Sequence, residues 1–151
     1  MNRRLITMIL FFALVVGGGL AIGYATRPDA WYASLEKPSF NPPDWVFGPV
    51  WSVLYVLIAL AGWRTFERRP GQWSMTVWWT QLGLNFLWSP VFFGAHQIGL
   101  AFGVILLLLA SVLAFIATSW RHDRLTSLLF VPYAAWVGYA SLLNGAIYAL
   151  N

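Results

Sequence analysis

The chain has 151 residues, 60% of them hydrophobic and 9% charged, with a formal charge of +4 and no cysteine. A soluble chain carries roughly 25% charged residues, so these few charges cannot cover a water-facing surface, and the lack of cysteine excludes disulfides, thiolate metal sites, a thiol nucleophile and palmitoylation. The basic excess sits in short clusters between apolar runs and not on one basic face, which argues against a nucleic-acid partner.

A membrane-spanning helix needs about 20 apolar residues. The first such run is Leu5 to Ala25, followed by a polar, proline-containing stretch from Thr26 to Asp44. Arg3 and Arg4 ahead of that run also resemble the start of a signal peptide cleaved near Gly23. The run is long enough to span, however, and Gly17, Gly18, Gly19 and Gly23 suit close helix contact, so retention is expected. The second run is Trp45 to Trp63, ended by the cluster Arg64, Glu67, Arg68, Arg69 and Pro70. The third is Trp73 to Phe93, and a tight turn at Gly94 to Gln97 leads into the fourth, Ile98 to Trp120. Arg121, His122, Asp123 and Arg124 precede the fifth, Leu125 to Leu150. No strand alternation occurs. The reading is one all-α domain over 1–151, a five-helix integral membrane bundle with residues 26–44 as an ordered lid.

Basic residues favour the cytoplasmic side. Arg3, Arg4, Arg64, Arg68, Arg69, Arg121 and Arg124 fall on one side of this partition and only Arg27 and Lys37 on the other. The expected orientation has the N-terminus cytoplasmic and the C-terminus outside. Trp31, Trp45, Trp73 and Trp120 lie near span ends, where indoles favour the headgroup layer.

No Asp, Glu, Lys, Arg or His lies deep in a predicted span, which argues against a proton-coupled pump or a charged-substrate channel. His96 and His122 lack metal-ligand spacing, so no metal site is expected, and nothing identifies a nucleophile beside His122 and Asp123. Aromatic density is the outstanding feature: 10 Trp, 6 Tyr and 11 Phe. Phe47, Trp51 and Tyr55 recur every four residues on one face of the second span. Gln81, Asn85, Trp88 and Phe92 form a mixed stripe on the third, and Pro132, Trp136, Ala140 and Leu143 or Asn144 one on the fifth. Any one stripe reads plainly as packing or interhelical hydrogen bonding; three together suit a cavity for a flat, apolar ligand. Pro49, Pro90 and Pro132 are expected to kink their spans and widen it. Arg27 and Lys37 in the lid are candidates to meet ligand carboxylates.

The motifs Trp31-Tyr32, Leu35, Lys37-Pro38, Asn41-Pro42-Pro43, Trp45 to Trp51 and Leu54-Tyr55 resemble the translocator protein family, also called tryptophan-rich sensory proteins or TspO/MBR. Gln81-Leu82, Leu84-Asn85-Phe86, Trp88-Ser89-Pro90, Phe92-Phe93-Gly94, Val131-Pro132-Tyr133, Trp136 and Leu143-Asn144 continue the resemblance in order along nearly the whole chain. It implies a five-helix bundle, commonly dimeric, with a pocket beneath the first loop that binds porphyrins and synthetic translocator-protein ligands; no obligatory cofactor is expected, with porphyrin or haem as the ligand. At matching positions the pocket would involve Phe47, Trp51, Asn85, Trp88, Trp136, Ala140 and Leu143, with Leu100, Gly103 and Leu107 from the fourth span; Tyr55 joins the candidate ligand-binding set from the aromatic face of the second span. Trp51 and Trp136 match the tryptophans implicated in light-dependent porphyrin breakdown, which makes them the candidates for any catalytic role. The C-terminal sterol-associated pattern has Leu143 and Tyr148 but ends Ala149, Leu150, Asn151 without a basic residue, which argues against specific cholesterol recognition. The expected function is therefore tetrapyrrole sensing, buffering or transport. The alternatives are light-dependent porphyrin degradation and movement of small apolar molecules. A bacterial membrane is the expected location.

Overall fold

The computed structural model describes residues 1–68 and 72–151. Among these, the secondary structure is entirely helical. Helix α1 is Arg3–Ala25, α2 is the short loop helix Ala30–Ser34, and α3 is Asp44–Arg68. Helix α4 is Trp73–Ser89, continued by a π-helical turn at Pro90–Gly94; α5 is Ile98–Ser119 and α6 is Arg124–Leu150. Among the described residues α1, α3, α5 and α6 are each long and apolar enough to cross a membrane. Helix α4 with its π turn carries no charge and is of similar length, but it is less apolar because it spends positions on tryptophans, amides and hydroxyls, of which Ser74, Trp78, Gln81 and Asn85 are buried. The protein is an all-α integral membrane bundle, with five long helices among the described residues.

Helix ends follow local chemistry. The Asn2 side chain accepts from the Arg4 amide at 3.0 Å, and Asp29 accepts from the Tyr32 amide at 3.2 Å to start α2. Asp123 does the same for α6 through the Thr126 amide at 3.4 Å. His96 closes the α4–α5 turn with φ of 58°, a left-handed conformation uncommon outside glycine.

Two boundaries differ from the sequence reading. Helix α3 continues beyond Trp63 to Arg68, because the charges expected to end it find partners on other helices. Arg64 pairs with Asp123 at 3.0 Å, and Glu67 accepts from Thr7 at 2.7 Å while facing Arg3 and Arg4 at 3.7 and 3.4 Å. Arg69 and Pro70 of that cluster lie outside the described residues. The prolines also act differently from one another. Pro90 opens the π turn, and Pro132 stands at the start of the second segment of α6, after the break at Phe130. Pro49 sits in the first turn of the α-helical part of α3, where a missing N–H costs no hydrogen bond, so no kink is needed there.

Packing runs in a ring: α1 lies on α3 and reaches α4, α4 lies on α5, α5 on α6, and the start of α6 returns to α3. Lipid tails are as apolar as the side chains, so close packing and internal hydrogen bonds hold such a ring together. Glycines supply the close approaches. A Cβ on Gly62 would stand 2.3 Å from the ring of fully buried Trp78, and one on Gly19 would stand 2.5 Å from Tyr55. Trp78 completes its contact by donating Nε1–H to the Ile58 carbonyl at 3.1 Å.

Candidate functional site

A cavity of about 320 Å³ lies at the lid end of the bundle, within the range of roughly 300–1,000 Å³ typical of ligand pockets. Helix α3 supplies Phe47, Trp51 and Tyr55, which share one face because they stand four residues apart. Helix α4 adds Asn85, Phe86, Trp88 and Ser89, and Thr26, Arg27, Pro28 and Asp44 close it from the loop. The wall from α1 comprises Gly19, Leu20, Ile22, Gly23 and Tyr24. Leu20 and Tyr24 are also exposed on the outer surface, and a Cβ on Gly23 or Gly48 would meet open space, so the cavity opens sideways between α1 and α3.

The aromatic lining is continuous. Trp51 stacks on Tyr55 with centroids 5.6 Å apart, and it meets Tyr133 and Trp136 edge-on at 6.4 and 6.5 Å. Phe47 meets Trp136 edge-on at 5.8 Å, and Trp136 leads to Tyr139 at 5.6 Å. The Trp136 Nε1–H is buried without a hydrogen-bond partner among the described residues.

Beneath the rings lies a polar relay. Asn85 Nδ2 donates to the Tyr133 hydroxyl at 2.7 Å, which donates to Gln81 Oε1 at 2.8 Å. Trp88 Nε1 donates to Asn144 Oδ1 at 3.0 Å, and Asn144 Nδ2 donates to the Ile98 carbonyl at 3.0 Å. Gln81 and Asn144 thus hold helices together, whereas Asn85 both anchors α6 and borders the cavity.

The sequence-predicted residues divide into three groups. Phe47, Trp51, Tyr55, Asn85 and Trp88 line the main cavity. Ala140 and Leu143 line a smaller space of about 30 Å³ under the lid, which shares Phe47 and Trp88 with the main one. Trp136 backs both through Trp51 and Phe47, and its outer side borders an open apolar groove with Pro49 and Val53. Leu100, Gly103 and Leu107 are not in the site: all three are exposed on the outer face of α5, and Ile105 and Leu108 from the opposite face form its wall. Helix α5 is apolar around its whole circumference, so its sequence carried no rotational signal. The α1 wall was missed as well, because glycine and aliphatic residues look the same whether they face a cavity or lipid.

The lid is fastened at several points. Trp31 stacks on His96 with centroids 4.0 Å apart, and His96 Nε2 lies 3.8 Å from Asp29. Tyr32 is buried against Phe92 and Phe93, and burial together with the nearby Asp44 carboxylate pushes its phenol above its ordinary pKa. Asn151 brackets Glu36, accepting from its amide at 3.0 Å and donating to its carbonyl at 2.8 Å; the Tyr139 hydroxyl donates to the Phe40 carbonyl. Lys37 is part of this fastening: its ammonium donates to the Tyr32 and Leu35 carbonyls at 2.7 and 3.1 Å and covers the Tyr32 ring. It does not line the cavity, in contrast to Arg27, which does so while lying over Tyr24 at 4.5 Å.

The amino-acid sequence is similar to those of known proteins. The sequence model of the TspO/MBR family matches residues 11–150. Protein CrtK of Rhodobacter capsulatus is 38% identical over 147 residues, covering 95% of this chain and 91% of that protein. Tryptophan-rich protein TspO of Archaeoglobus fulgidus is 38% identical over 155 residues, covering 100% and 99%. The human translocator protein is 37% identical over 127 residues, covering 80% and 75%. With the match spanning almost the entire bundle, including the α3 and α4 faces that wall the cavity, this chain belongs to the TspO/MBR family.

Proposed function

We propose that this protein binds a tetrapyrrole, a porphyrin or haem intermediate, within the membrane, and serves in its sensing, buffering or transport. The observation that carries the reading is the lid-end cavity, walled by Phe47, Trp51, Tyr55 and Trp88 with Asn85 at its edge. Flat rings give stacking area to a flat ligand, and a few polar groups orient it. Arg27 is placed to meet a propionate-type carboxylate, and the free Nε1–H of Trp136 is a donor that a ligand acceptor or a small ring movement would satisfy. A full macrocycle would occupy the sideways opening between α1 and α3, or join the two spaces by displacing Phe47 and Trp88. The name of the human relative, a translocator protein, accords with a transport role.

Adding protoporphyrin to the purified protein should quench its tryptophan fluorescence saturably, and Trp51→Ala and Trp136→Ala should each weaken the response. Unchanged titrations in both variants would overturn the site assignment. The edge contact between Trp51 and Trp136 supports a second reading, in which illuminated porphyrin is degraded beside two oxidisable rings. There the light chemistry belongs to the ligand, and the protein orients and shields it. A discrete new pigment on illumination would favour that reading; bleaching no different from that of free porphyrin would count against it.

In this proposal the protein sits in a bacterial membrane with Arg3 and Arg4 cytoplasmic and the lid outside. The cysteine-free chain allows a direct check, since Ser34→Cys should react with an impermeant thiol reagent added from outside. A homodimer is part of the proposal as well. Trp79 and Gly83, exposed on the outer side of α4, mark the face for cross-linking.

A further inference from the structure

A second cavity, of about 230 Å³, lies at the opposite, basic end of the bundle where α3, α4, α5 and the start of α6 converge. Among the described residues it is lined by Thr65, Arg68, Ser74, Ser119, His122, Asp123 and Thr126, with no Phe, Tyr, Trp or large aliphatic side chain. Its chemistry is therefore the reverse of that at the lid end. Its size is several times the roughly 30 Å³ that one water occupies in the liquid.

The charges around it do not cancel. Among the described residues Asp123 is the one carboxylate lining the cavity, and it is already engaged. Arg64 donates to both of its oxygens at 3.2 and 3.0 Å, and the Thr126 hydroxyl donates to it at 2.5 Å. Arg68 stands 3.7 Å from the same carboxylate and makes no closer contact with it, so two guanidinium groups face one anion. Two hydroxyl groups add donors. Ser74 is buried, and Ser119 is only 4% exposed, its Oγ having no hydrogen-bond partner among the described residues. A buried hydroxyl without a partner costs free energy that a bound acceptor would recover. Excess positive charge beside the unspent O–H donor of Ser119 selects an oxyanion, and a guanidinium pairs well with phosphate oxygens.

We propose that this cavity is an oxyanion site that takes a phosphate group, with Arg68 supplying charge and Ser119 a hydrogen bond. The phosphate could belong to a soluble compound or to a lipid headgroup, because Trp120 and Arg124, which lie beside His122, stand where α5 meets the interface. The proposal is independent of tetrapyrrole binding, since no residue lines both cavities.

The test uses the full chain in neutral detergent, titrated with inorganic phosphate at ionic strength held constant with chloride and followed by its thermal unfolding midpoint. The same midpoint is then compared in nanodiscs of phosphatidylcholine with and without phosphatidic acid. A saturable rise is expected in at least one arm, and the responding arm identifies the source. Arg68→Gln and Ser119→Ala should each raise the half-saturating concentration about tenfold, as for loss of one hydrogen bond to a charged group. Arg3→Gln removes a charge from the same end without touching the cavity and should leave the titration unchanged. Arg68 is exposed enough for its variant to fold even if Ser119→Ala does not. No saturable rise in either arm, or equal responses from Arg68→Gln and Arg3→Gln, would overturn the proposal.

Discussion

Gly19 is where stability and the cavity meet, and Gly19→Ala separates the two effects. The added Cβ would stand 2.5 Å from the Tyr55 ring, whereas ordinary contact begins at 3.4 Å, so the ring must retreat by about 0.9 Å. Tyr55 is largely buried and stacked on Trp51, which leaves the cavity as its way out. Overpacking of this kind costs about 1–3 kcal/mol. Alanine also gains about 1 kcal/mol over glycine in a helix interior, so the comparison needs a glycine with the same gain and no clash. Gly103 is suitable, since a Cβ there meets nothing within 4 Å. Relative to Gly103→Ala, Gly19→Ala should lower the apparent unfolding midpoint by about 3–10 °C at a fixed scan rate. It should also weaken protoporphyrin binding about tenfold, a cost of about 1.4 kcal/mol. Adding Tyr55→Ala should recover part of the stability loss, appearing as a coupling between the two positions. Equal midpoints and equal titrations for Gly19→Ala and Gly103→Ala would refute the reasoning.

Gly62→Ala should destabilise the fold more than Gly19→Ala, because fully buried Trp78 has no cavity to move into; the same melts compare them. Tyr133→Phe removes the hydroxyl that joins Asn85 to Gln81 and should cost about 1–3 kcal/mol in a denaturation titration, since both amides lose a buried partner. Asn151→Ala frees the lid at Glu36 and should speed porphyrin release in stopped-flow fluorescence with little change in the unfolding midpoint. At Asp123, burial disfavours the charge, but hydrogen bonds from Arg64 and Thr126 outweigh it and hold the carboxyl below its ordinary 3.8. Its stabilising contribution is therefore complete above that value and disappears as pH falls through the lowered one. Melts from pH 7 to pH 3 should show a loss at the acid end that Asp123→Asn flattens.

The helices were legible because length and apolarity are what a bilayer demands, and the α3 face was legible because three aromatics at four-residue spacing can only share a side. The rotation of α5 was not. With aliphatic residues all around, Leu100 and Leu107 carry the same local signal as Ile105 and Leu108, and only the neighbours decide which faces inward. The partner of Lys37 was not legible for a related reason: a cation in a lid has many possible partners, and two carbonyls of its own loop are the ones it meets. The end of α3 depended on pairings such as Arg64 with Asp123, 59 residues apart, which no local pattern encodes.

The wide turn at Ala13–Gly17 sets the phase of α1. Eight residues of ordinary α-helix carry a face about 80° around the axis, yet Phe11, Val15 and Gly19, spaced over those eight residues, are all buried. The loose turn takes back part of that drift and so keeps both halves of α1 aimed at the bundle. Inserting one further residue beyond it, which the turn does not absorb, would swing the following segment by about 100°, turning Gly19 and Ile22 away from the cavity while leaving hydropathy almost unchanged. Such a chain would still insert as a spanning helix, with one wall of its cavity facing lipid.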